Sequence, residues 1–325
     1  MLLRKIILYI ATIFIVSCAT NNSWMKDYST AIDNKPISNI TIPGSHLANA
    51  YDVTSNQPLC IGEAAESDTM SYNAKLRQNL LHAHKFDQNA FTKYLNTQNQ
   101  TIKQQLTNGT RYFELQVCKQ QDVLYTSNVY LTDRLDAITT QIKDFLENHP
   151  QEIVILNLDH IWAQYGPMNV SDAWEVYSRL VKTFGNMLVP KSMQYNKIST
   201  LKSNDKQVIL LSRNPNLNYY DVIWDGNQTT LTAPAEYSTI KKIMIIENAM
   251  SSDNNPYLLK IVPIYSVLPM ESYTSHFANA SDEDFIIFNY LGQTLNGKPA
   301  IIISDYKNNM EAIDFTIANN QQNTQ

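Results

Sequence analysis

The stretch NITIPGSHLANAY, residues 39–51, decides how the rest of the chain is interpreted. Its two isoleucines alternate with polar residues, a period typical of a β-strand. Pro43 and Gly44 then give a turn signal, which places His46 where the strand is expected to end. Histidine transfers protons near neutral pH, whereas Leu47 directly after it neither accepts nor donates one. The stretch therefore predicts a short strand that carries one proton-transfer residue at its end.

The chain has 325 residues and a mass of 37.1 kDa, which suits one large domain or two ordinary ones. Hydrophobic residues make up 44% and charged residues 17%, values of a globular rather than a disordered protein. Barrels of alternating strands and helices are commonly single domains of this size. We therefore expect one domain with a self-supporting core.

The charge balance argues against nucleic acid as a partner. The sequence has 25 basic and 30 acidic residues, a formal net charge of −5. Removal of the leader described next takes away Arg4 and Lys5, so 23 basic residues face 30 acidic ones and the net charge is near −7. Nucleic-acid binding relies on clustered Lys and Arg, and the sequence has no basic stripe. A small phosphate-bearing ligand remains compatible with this balance.

The stretch MLLRKIILYIATIFIVSC at the start has the features of a secretion signal. A basic region is followed by an apolar run over residues 6–16 that is too short to span a bilayer comfortably. The end, IVSC, resembles a bacterial lipobox, which predicts a signal peptide over residues 1–17, lipid on Cys18, and an anchor and linker over residues 18–38. Ala19, where no aspartate stands, favours the outer membrane of the bacterial envelope. An ordinary signal peptide or a short anchor helix is the alternative.

Two further cysteines, Cys60 and Cys118, lie in the mature chain. An oxidising compartment favours a disulfide between them, and two buried free thiols are the alternative. Their spacing matches no metal site. The sequence leaves this choice open.

Short apolar runs alternate with helical patterns along the chain. Strands are predicted in TRYFELQV, EIVILNLDHIW, QVILLS, IKKIMIIENA, DFIIFNYL and AIIISDY, which start at residues 110, 152, 207, 240, 284 and 300. Helices are predicted over residues 135–150, and from an N-cap at Ser171 to a stop before Pro190. The alternation predicts an α/β fold with parallel strands, and the length favours a distorted TIM-type (β/α) barrel over an open sheet.

The barrel is expected to occupy residues 39–318. Residues 52–98 are polar and rich in Asn, Gln and Ala, so we interpret them as an insertion after the first strand that acts as a lid. Residues 319–325 are expected to form a disordered tail.

In a parallel β/α barrel, residues just beyond the carboxyl ends of the strands line the active face. Glu114 and Gln116 alternate on one side of their strand and so point the same way. With the polar residues at other strand ends, they predict one pocket. The full set is His46, Glu114, Gln116, Asp159, His160, Arg213 and Asp305.

Four segments, in this order, resemble the X-domain of phosphatidylinositol-specific phospholipase C and its wider phosphodiesterase superfamily. They are ITIPGSH from residue 40, QTIKQQLTNGTRYFELQV from residue 100, IKDFLENHPQEIVILNLDHIW from residue 142 and AIIISDYKNNMEAIDFTIANN from residue 300. The resemblance covers most of the mature chain and is loose over residues 163–298. It implies a distorted β/α barrel in which the inositol 2-hydroxyl attacks the phosphodiester, giving diacylglycerol and a cyclic phosphate.

The resemblance also implies roles for single residues. His46 matches the general base, and Asp305 matches the carboxylate that orients it. Glu114 and Gln116 match two further polar positions of the family pattern. Together with Asp159 and Arg213, which the strand-end argument places in the same pocket, they are the candidate substrate-binding residues.

Three matched positions depart from the family pattern. Leu47 stands where the family has an aspartate, and Gln116 where it has an arginine. Thr126 or Ser127 occupies the place of the second histidine, which is the family's general acid. An acid contributes about 10²–10⁴ in rate and an electrostatic stabiliser about 10²–10³. The departures therefore predict slow catalysis, or none.

Two functions follow from this pattern. The first is a phosphodiesterase of the phospholipase C type, lipid-anchored in the envelope, that acts on a phospholipid head group or a related small phosphodiester. The second is a catalytically degenerate lipoprotein that serves as a binding or interaction module. His82 or His84 in the insertion would serve as a replacement acid in the first case, and solvent exposure is the alternative for both.

No cofactor is expected. Calcium held by Glu114 and Asp159 is the alternative, although hard cations prefer more oxygen ligands than these two residues offer. We interpret His160 and Trp162 as wall residues of the pocket. Arg111 and Arg213 are the remaining cations that could contact a phosphate, but Arg111 opens a strand, which favours a structural role for it.

Overall fold

A computed structural model of the chain describes residues 21–64, 88–163, 166–226, 229–230, 244, 259–263, 295, 297–305 and 310–324. One sheet of eleven strands runs through these residues. The strands are β1 Ile42–Ser45, β2 Tyr112–Gln120, β3 Val123–Asn128, β4 Tyr130–Arg134, β5 Val154–Ala163, β6 Gly166–Pro167, β7 Val208–Ser212, β8 Ile223–Asp225, β9 Thr229–Thr230, β10 Lys260–Pro263 and β11 Ile301–Ser304.

Helices lie between several of the strands and before and after the sheet. They are α1 Trp24–Asp27, α2 Ser29–Ile32, α3 Ile61–Ala64, α4 Gln88–Leu95, α5 Ile102–Thr107, α6 Leu135–Asn148, α7 Val170–Phe184, α8 Ile198–Ser203, α9 Pro215–Asn218 and α10 Met310–Ala318. Within the described ranges, no helix combines the length and the apolar character that crossing a membrane requires.

Eight strands follow one another around a curled sheet in the order β8, β7, β5, β2, β1, β11, β10, β9. Neighbours on this path are parallel. The hairpin of β3 and β4 lies antiparallel beside β2, and β6 pairs with the end of β5. The predicted α/β fold, a distorted β/α barrel, is thereby confirmed. Apart from Met244, the predicted strands at 240–249 and 284–291 lie outside the described residues.

Alternation along the strands produces two cores. Inside the barrel, every second strand residue joins one cluster, which includes Ile42, Tyr112, Ile155, Ile209, Trp224, Ile261 and Ile301. On the outside, the intervening residues pack against α5, α6 and α7 in a second cluster, which includes Phe113, Leu115, Val117, Leu156, Leu210, Ile138 and Ala173. Polar residues that share the inner face therefore stand in the interior of the barrel.

Residues 21–39 close the end of the barrel at which the strands begin. Trp24 is buried in the interior cluster, and its indole N–H donates to the carbonyl of Gly109, just before β2, at 2.9 Å. Lys202, just before β7, donates to the carbonyl of Met25 at 3.0 Å and pairs with Asp33 at 2.7 Å. The prediction of a linker over residues 18–38 is therefore wrong from residue 21 onward, because this segment supplies apolar surface to the core.

A buried ion pair holds this segment in place. Arg111, just before β2, is paired with Glu152, just before β5, at 2.8 Å, and both side chains are at most 1% exposed. Glu152 also accepts the backbone N–H groups of Met25 and Lys26 at 3.3 and 3.1 Å. The guanidinium of Arg111 donates to the carbonyl of Asn22 at 2.6 Å. The structural role predicted for Arg111 agrees with these contacts.

The end of the chain is also part of the fold. Asn319 and Asn320 are buried at the start of a 3₁₀ turn, Asn319–Thr324. The side chain of Asn320 accepts from the N–H of Thr41 at 2.7 Å and donates to its carbonyl at 2.8 Å. The expected disordered tail over residues 319–325 is therefore wrong at its start, because these amides complete the backbone bonding beside β1.

The helix predicted to begin after Ser171 starts earlier. Asn169 is its N-cap, and the side chain of Asn169 accepts the N–H of Asp172 at 3.0 Å. Asparagine is as good a cap as serine, and the sequence offered both within two positions.

The predicted insertion over residues 52–98 is described at its two ends. Cys60 forms a disulfide with Cys118 of β2, so the thiol alternative does not apply in this structure. Glu63 accepts the N–H of Val129 at 2.8 Å. Residues 65–87, which include His82 and His84, lie outside the described residues, as does Cys18.

The Arg111–Glu152 pair yields a stability prediction. Glu152→Ala leaves Arg111 buried without its counter-charge and removes an acceptor from two backbone N–H groups. We expect a loss of about 3–5 kcal/mol in the free energy of unfolding, measured by urea denaturation. The matched control is Asp136→Ala, which breaks an exposed pair with Arg179 and is expected to cost less than about 1 kcal/mol. Equal effects of the two variants would contradict the structural role of the buried pair.

Candidate active site

The polar residues predicted from the sequence lie where the parallel strands end. The parallel strands run in the same direction, so residues that follow β1, β7 and β11 converge with residues of β2 and β5 that lie level with or beyond the end of β1. The set comprises His46 after β1, Glu114 and Gln116 in β2, Asp159 and His160 in β5, Arg213 after β7 and Asp305 after β11.

His46 and Asp305 form the centre of the site. Their strands are in parallel register, with Ser45 beside Ser304, so the residues that follow each strand are neighbours. Nδ1 of His46 lies 2.6 Å from Oδ1 of Asp305. The side chain of His46 is 17% exposed and that of Asp305 is 6% exposed, so the imidazole is the accessible member of the pair.

The backbone around His46 is held by two residues that the sequence did not single out. The side-chain amide of Gln98 donates to the carbonyl of His46 at 2.8 Å and to that of Ser304 at 3.2 Å. The hydroxyl of Thr97 lies 3.2 Å from the carbonyls of both His46 and Leu47. The end of the insertion therefore positions the histidine, and only the long-range fold reveals this role.

Leu47 has a backbone φ of +41°, in the left-handed region. That conformation costs a residue with a Cβ about 1–2 kcal/mol. Its side chain is buried in an apolar cluster with Val53, Phe91 and Leu95. A carboxylate at this position would stand in an apolar environment, which agrees with leucine there instead of the family's aspartate.

The pKa of His46 is shifted upward. Burial alone would lower it, but the charge of Asp305 and the hydrogen bond to it, with a smaller contribution from the charge of Glu114, outweigh burial. Asp305 thus favours the protonated imidazole, which is the state that a general base reaches when it accepts a proton.

Asp159 and Arg213 form a second pair at the mouth of the barrel. Oδ2 of Asp159 lies 2.8 Å from Nε of Arg213, and Oδ1 accepts the backbone N–H of Arg213 at 2.6 Å. A Cβ at Gly226 would lie 2.7 Å from the backbone nitrogen of Arg213, so glycine permits this close approach. Arg213 is 45% exposed and Asp159 is 7% exposed, so Asp159 holds the arginine while the cation meets solvent.

Gln116 and Ser127 carry buried polar side-chain atoms on neighbouring strands. Gln116 is 4% exposed and Ser127 is fully buried. Among the described residues, neither Nε2 of Gln116 nor Oγ of Ser127 has a hydrogen-bond partner. Thr126, the alternative occupant of the missing histidine's place, is instead bonded to the hydroxyl of Thr132 at 2.8 Å and to the carbonyl of Asp133 at 3.0 Å.

The remaining candidates are distributed as follows. Trp162 is buried beside the disulfide, and His160 is exposed. Across the residues that the structure describes, no group of three or more His, Cys, Asp or Glu side chains is arranged to hold a metal ion. Of the two residues in the calcium alternative, Glu114 and Asp159, the carboxylate of Asp159 is paired with Arg213.

The chain is similar to proteins of the phospholipase C type. It is 27% identical over 237 residues to human PI-PLC X domain-containing protein 2, covering 71% of this chain and 72% of that protein. It is 28% identical over 193 residues to the 1-phosphatidylinositol phosphodiesterase of Listeria monocytogenes, covering 58% of this chain and 55% of that protein. No family model matches the chain.

Solved structures agree with the fold. The phosphatidylinositol-specific phospholipase C from Listeria monocytogenes superposes with a TM-score of 0.61 at 22% identity, covering 93% of this chain and 99% of that one. A phosphatidylinositol-specific phospholipase C from Staphylococcus aureus gives a TM-score of 0.63 at 16% identity, covering 91% and 97%. At these identities the likeness is one of fold.

The raised pKa of His46 predicts a pH-dependent stability. A histidine whose pKa is higher in the folded state contributes stability that is complete below the pKa of the unfolded chain, about 6.5, and is lost as pH rises through the folded pKa. We therefore expect the difference in free energy of unfolding between the wild type and His46→Gln to shrink as pH is raised from 6. Urea denaturation at several pH values measures it. A difference that grows with pH would contradict the pairing with Asp305, and Asp305→Asn should remove most of the dependence.

Proposed function

This chain belongs to the superfamily of phosphatidylinositol-specific phospholipase C X-domains and PLC-like phosphodiesterases, and we propose that it cleaves a phosphoric diester in a phospholipid head group. The observation that carries the proposal is the pair of His46 and Asp305, 2.6 Å apart at the end of the barrel where the strands finish. A histidine oriented by a carboxylate in an accessible pocket is the arrangement that activates a hydroxyl nucleophile.

The chemistry assigned to this pair is general-base catalysis. Asp305 binds Nδ1 of His46, and we assign to Nε2 the role of taking the proton of the attacking hydroxyl. Asp305 then stabilises the imidazolium that forms, while the new P–O bond is made and the bond to the lipid alcohol breaks. In phosphatidylinositol the nucleophile is the neighbouring inositol hydroxyl, so the products are a cyclic phosphate and diacylglycerol.

Binding of the phosphoryl group is assigned to neutral donors and one cation. Nε2 of Gln116 and the hydroxyl of Ser127 are buried polar groups for which a phosphoryl oxygen is a suitable partner. Arg213 is the cation at the mouth, held in position by Asp159. An amide or hydroxyl donor carries no net charge to offset the negative charge of the phosphoryl oxygens, so we expect weaker stabilisation of the developing charge than an arginine at position 116 would give.

A second candidate function is a binding module of the same fold. Leu47 and Gln116 favour it, because each replaces a charged residue of the family's machinery with a neutral one. Such a pocket would bind a head group through Arg213 and the neutral donors without turnover.

Product release from phosphatidylinositol vesicles tests the two functions against each other. We expect the protein truncated before residue 19 to release water-soluble phosphate, and His46→Ala to reduce that release at least about 10²-fold because the base is lost. Parallel assays with calcium and with chelator test whether the cation participates. Binding of vesicles without release under any condition would favour the binding module, and release that survives His46→Ala would remove that residue as the base.

We also propose that Cys18 carries lipid and places the protein at the bacterial outer membrane. The supporting features are the basic and apolar leader and the IVSC sequence, in which the expected cleavage point lies just before Cys18. Metabolic labelling with a fatty acid should mark the wild type and not Cys18→Ala, and only the wild type should fractionate with outer membranes. Labelling of Cys18→Ala would contradict the anchor without bearing on the activity of the pocket.

A further inference from the structure

An irregularity in β5 decides which of its side chains face the pocket. Glu114 of β2 lies beside Asn157 of β5, and Gln116, two residues later, lies beside His160, three residues later. The strand β5 therefore contains one extra residue at this point, which is a β-bulge. Beyond the bulge, the alternation of β5 is shifted by one residue relative to β2.

The bulge brings His160 onto the same face as Gln116. Residues paired in neighbouring strands point to the same side of a sheet. In an unbroken register Asp159 would lie beside Gln116, and His160 would point toward the helices outside the barrel. Instead, Ile161 next to His160 joins the outer cluster together with Val117, and His160 shares the inner face with Gln116.

His160 is also chemically available. It is exposed, and within the described part of the chain its imidazole has no hydrogen-bond or ion-pair partner. It belongs to neither of the two buried core clusters, so its replacement is expected to have little effect on stability. It is paired with Gln116, whose side-chain amide is assigned to bind a phosphoryl oxygen, so His160 lies next to the expected position of the phosphate.

The spacing suits a pair of histidines on opposite sides of one phosphoryl group. Ser45 of β1 pairs with Phe113 of β2, so His46, the next residue, is level with Glu114 of β2. His160 lies in β5, on the opposite side of β2 from β1, and is level with Gln116, two residues further along β2. Two strand spacings and two residues of rise separate their Cα atoms by on the order of 12 Å. Two imidazole rings and a phosphodiester between them fill that distance.

We propose that His160 is the general acid of this site, taking the place of the histidine that the family carries near Ser127. The inference rests on the proposed diesterase function, and it gives a catalytic role to a residue that the sequence analysis interpreted as part of the pocket wall. As the P–O bond to the leaving group breaks, the leaving oxygen takes the proton of the His160 imidazolium, while His46 holds the proton of the attacking hydroxyl. Exchange with solvent then returns each histidine to its starting state.

A comparison of leaving groups tests this role. The two substrates are phosphatidylinositol, whose alkoxide leaving group needs a proton, and the 4-nitrophenyl phosphodiester of inositol, whose phenolate leaves without one. We expect His160→Ala to lower cleavage of phosphatidylinositol by about 10²–10⁴, and cleavage of the aryl diester by less than about tenfold. His46→Ala should lower both, since both reactions need the base.

The controls separate the acid role from structural effects and from other histidines. His149→Ala changes a histidine at the opposite end of the barrel, after α6, and should alter neither rate. His82→Ala and His84→Ala should also leave the ratio of the two rates unchanged. Equal losses on both substrates in His160→Ala, no loss on either, or a selective loss in a variant at position 82 or 84 would overturn the assignment while leaving the diesterase function intact. Failure of the wild type to cleave the aryl diester would overturn the diesterase function and the acid role together.

Discussion

The parallel hydrogen-bonded ladders on the two sides of β1 are the constraint on which the site depends. One ladder pairs Ser45 with Ser304 and the other pairs it with Phe113. A shift of one residue in either would turn the following side chains to the other face. The register therefore places His46 beside Asp305 and level with Glu114. The hydrogen bonds of Thr97 and Gln98 to the backbone then stabilise this arrangement.

Much of the fold was predictable because strand and helix periods are local properties. The runs that became β2, β5, β7 and β11 were identified, as was their convergence at one edge, since parallel strands end together. The pairing of Asp159 with Arg213 and the bracing by Gln98 were not predictable, because they join residues far apart in sequence. The start of the 3₁₀ turn at Asn319 was missed because short polar amides suggest a tail when their partner, the backbone of Thr41, is unknown. The bulge in β5 was missed because register appears only when the neighbouring strand is in place.

The site combines retained and altered chemistry in a physically coherent way. Leu47 avoids an aspartate in an apolar cluster, at a backbone conformation that already carries strain. Gln116 and Ser127 supply neutral donors in place of charge. Under the proposed assignment, the proton donor lies in β5, whereas the family's acid matches a position in β3; both strands pair with β2. Changes at three matched positions therefore do not by themselves mean loss of function, because side chains at adjacent strand ends can contact the same ligand.

The closure of the barrel by residues 21–39 has a consequence for orientation. Trp24 and the carbonyl of Asn22 are bound at the end where the strands begin, and the pocket lies at the other end. Position 18 is three residues from Asn21, so an extended chain between them reaches at most about 11 Å. A lipid at Cys18, as proposed, would hold the sealed end of the barrel against its own bilayer and turn the pocket outward. The diesters within easiest reach would then belong to an opposing surface or to the surrounding solution rather than to the membrane that carries the protein.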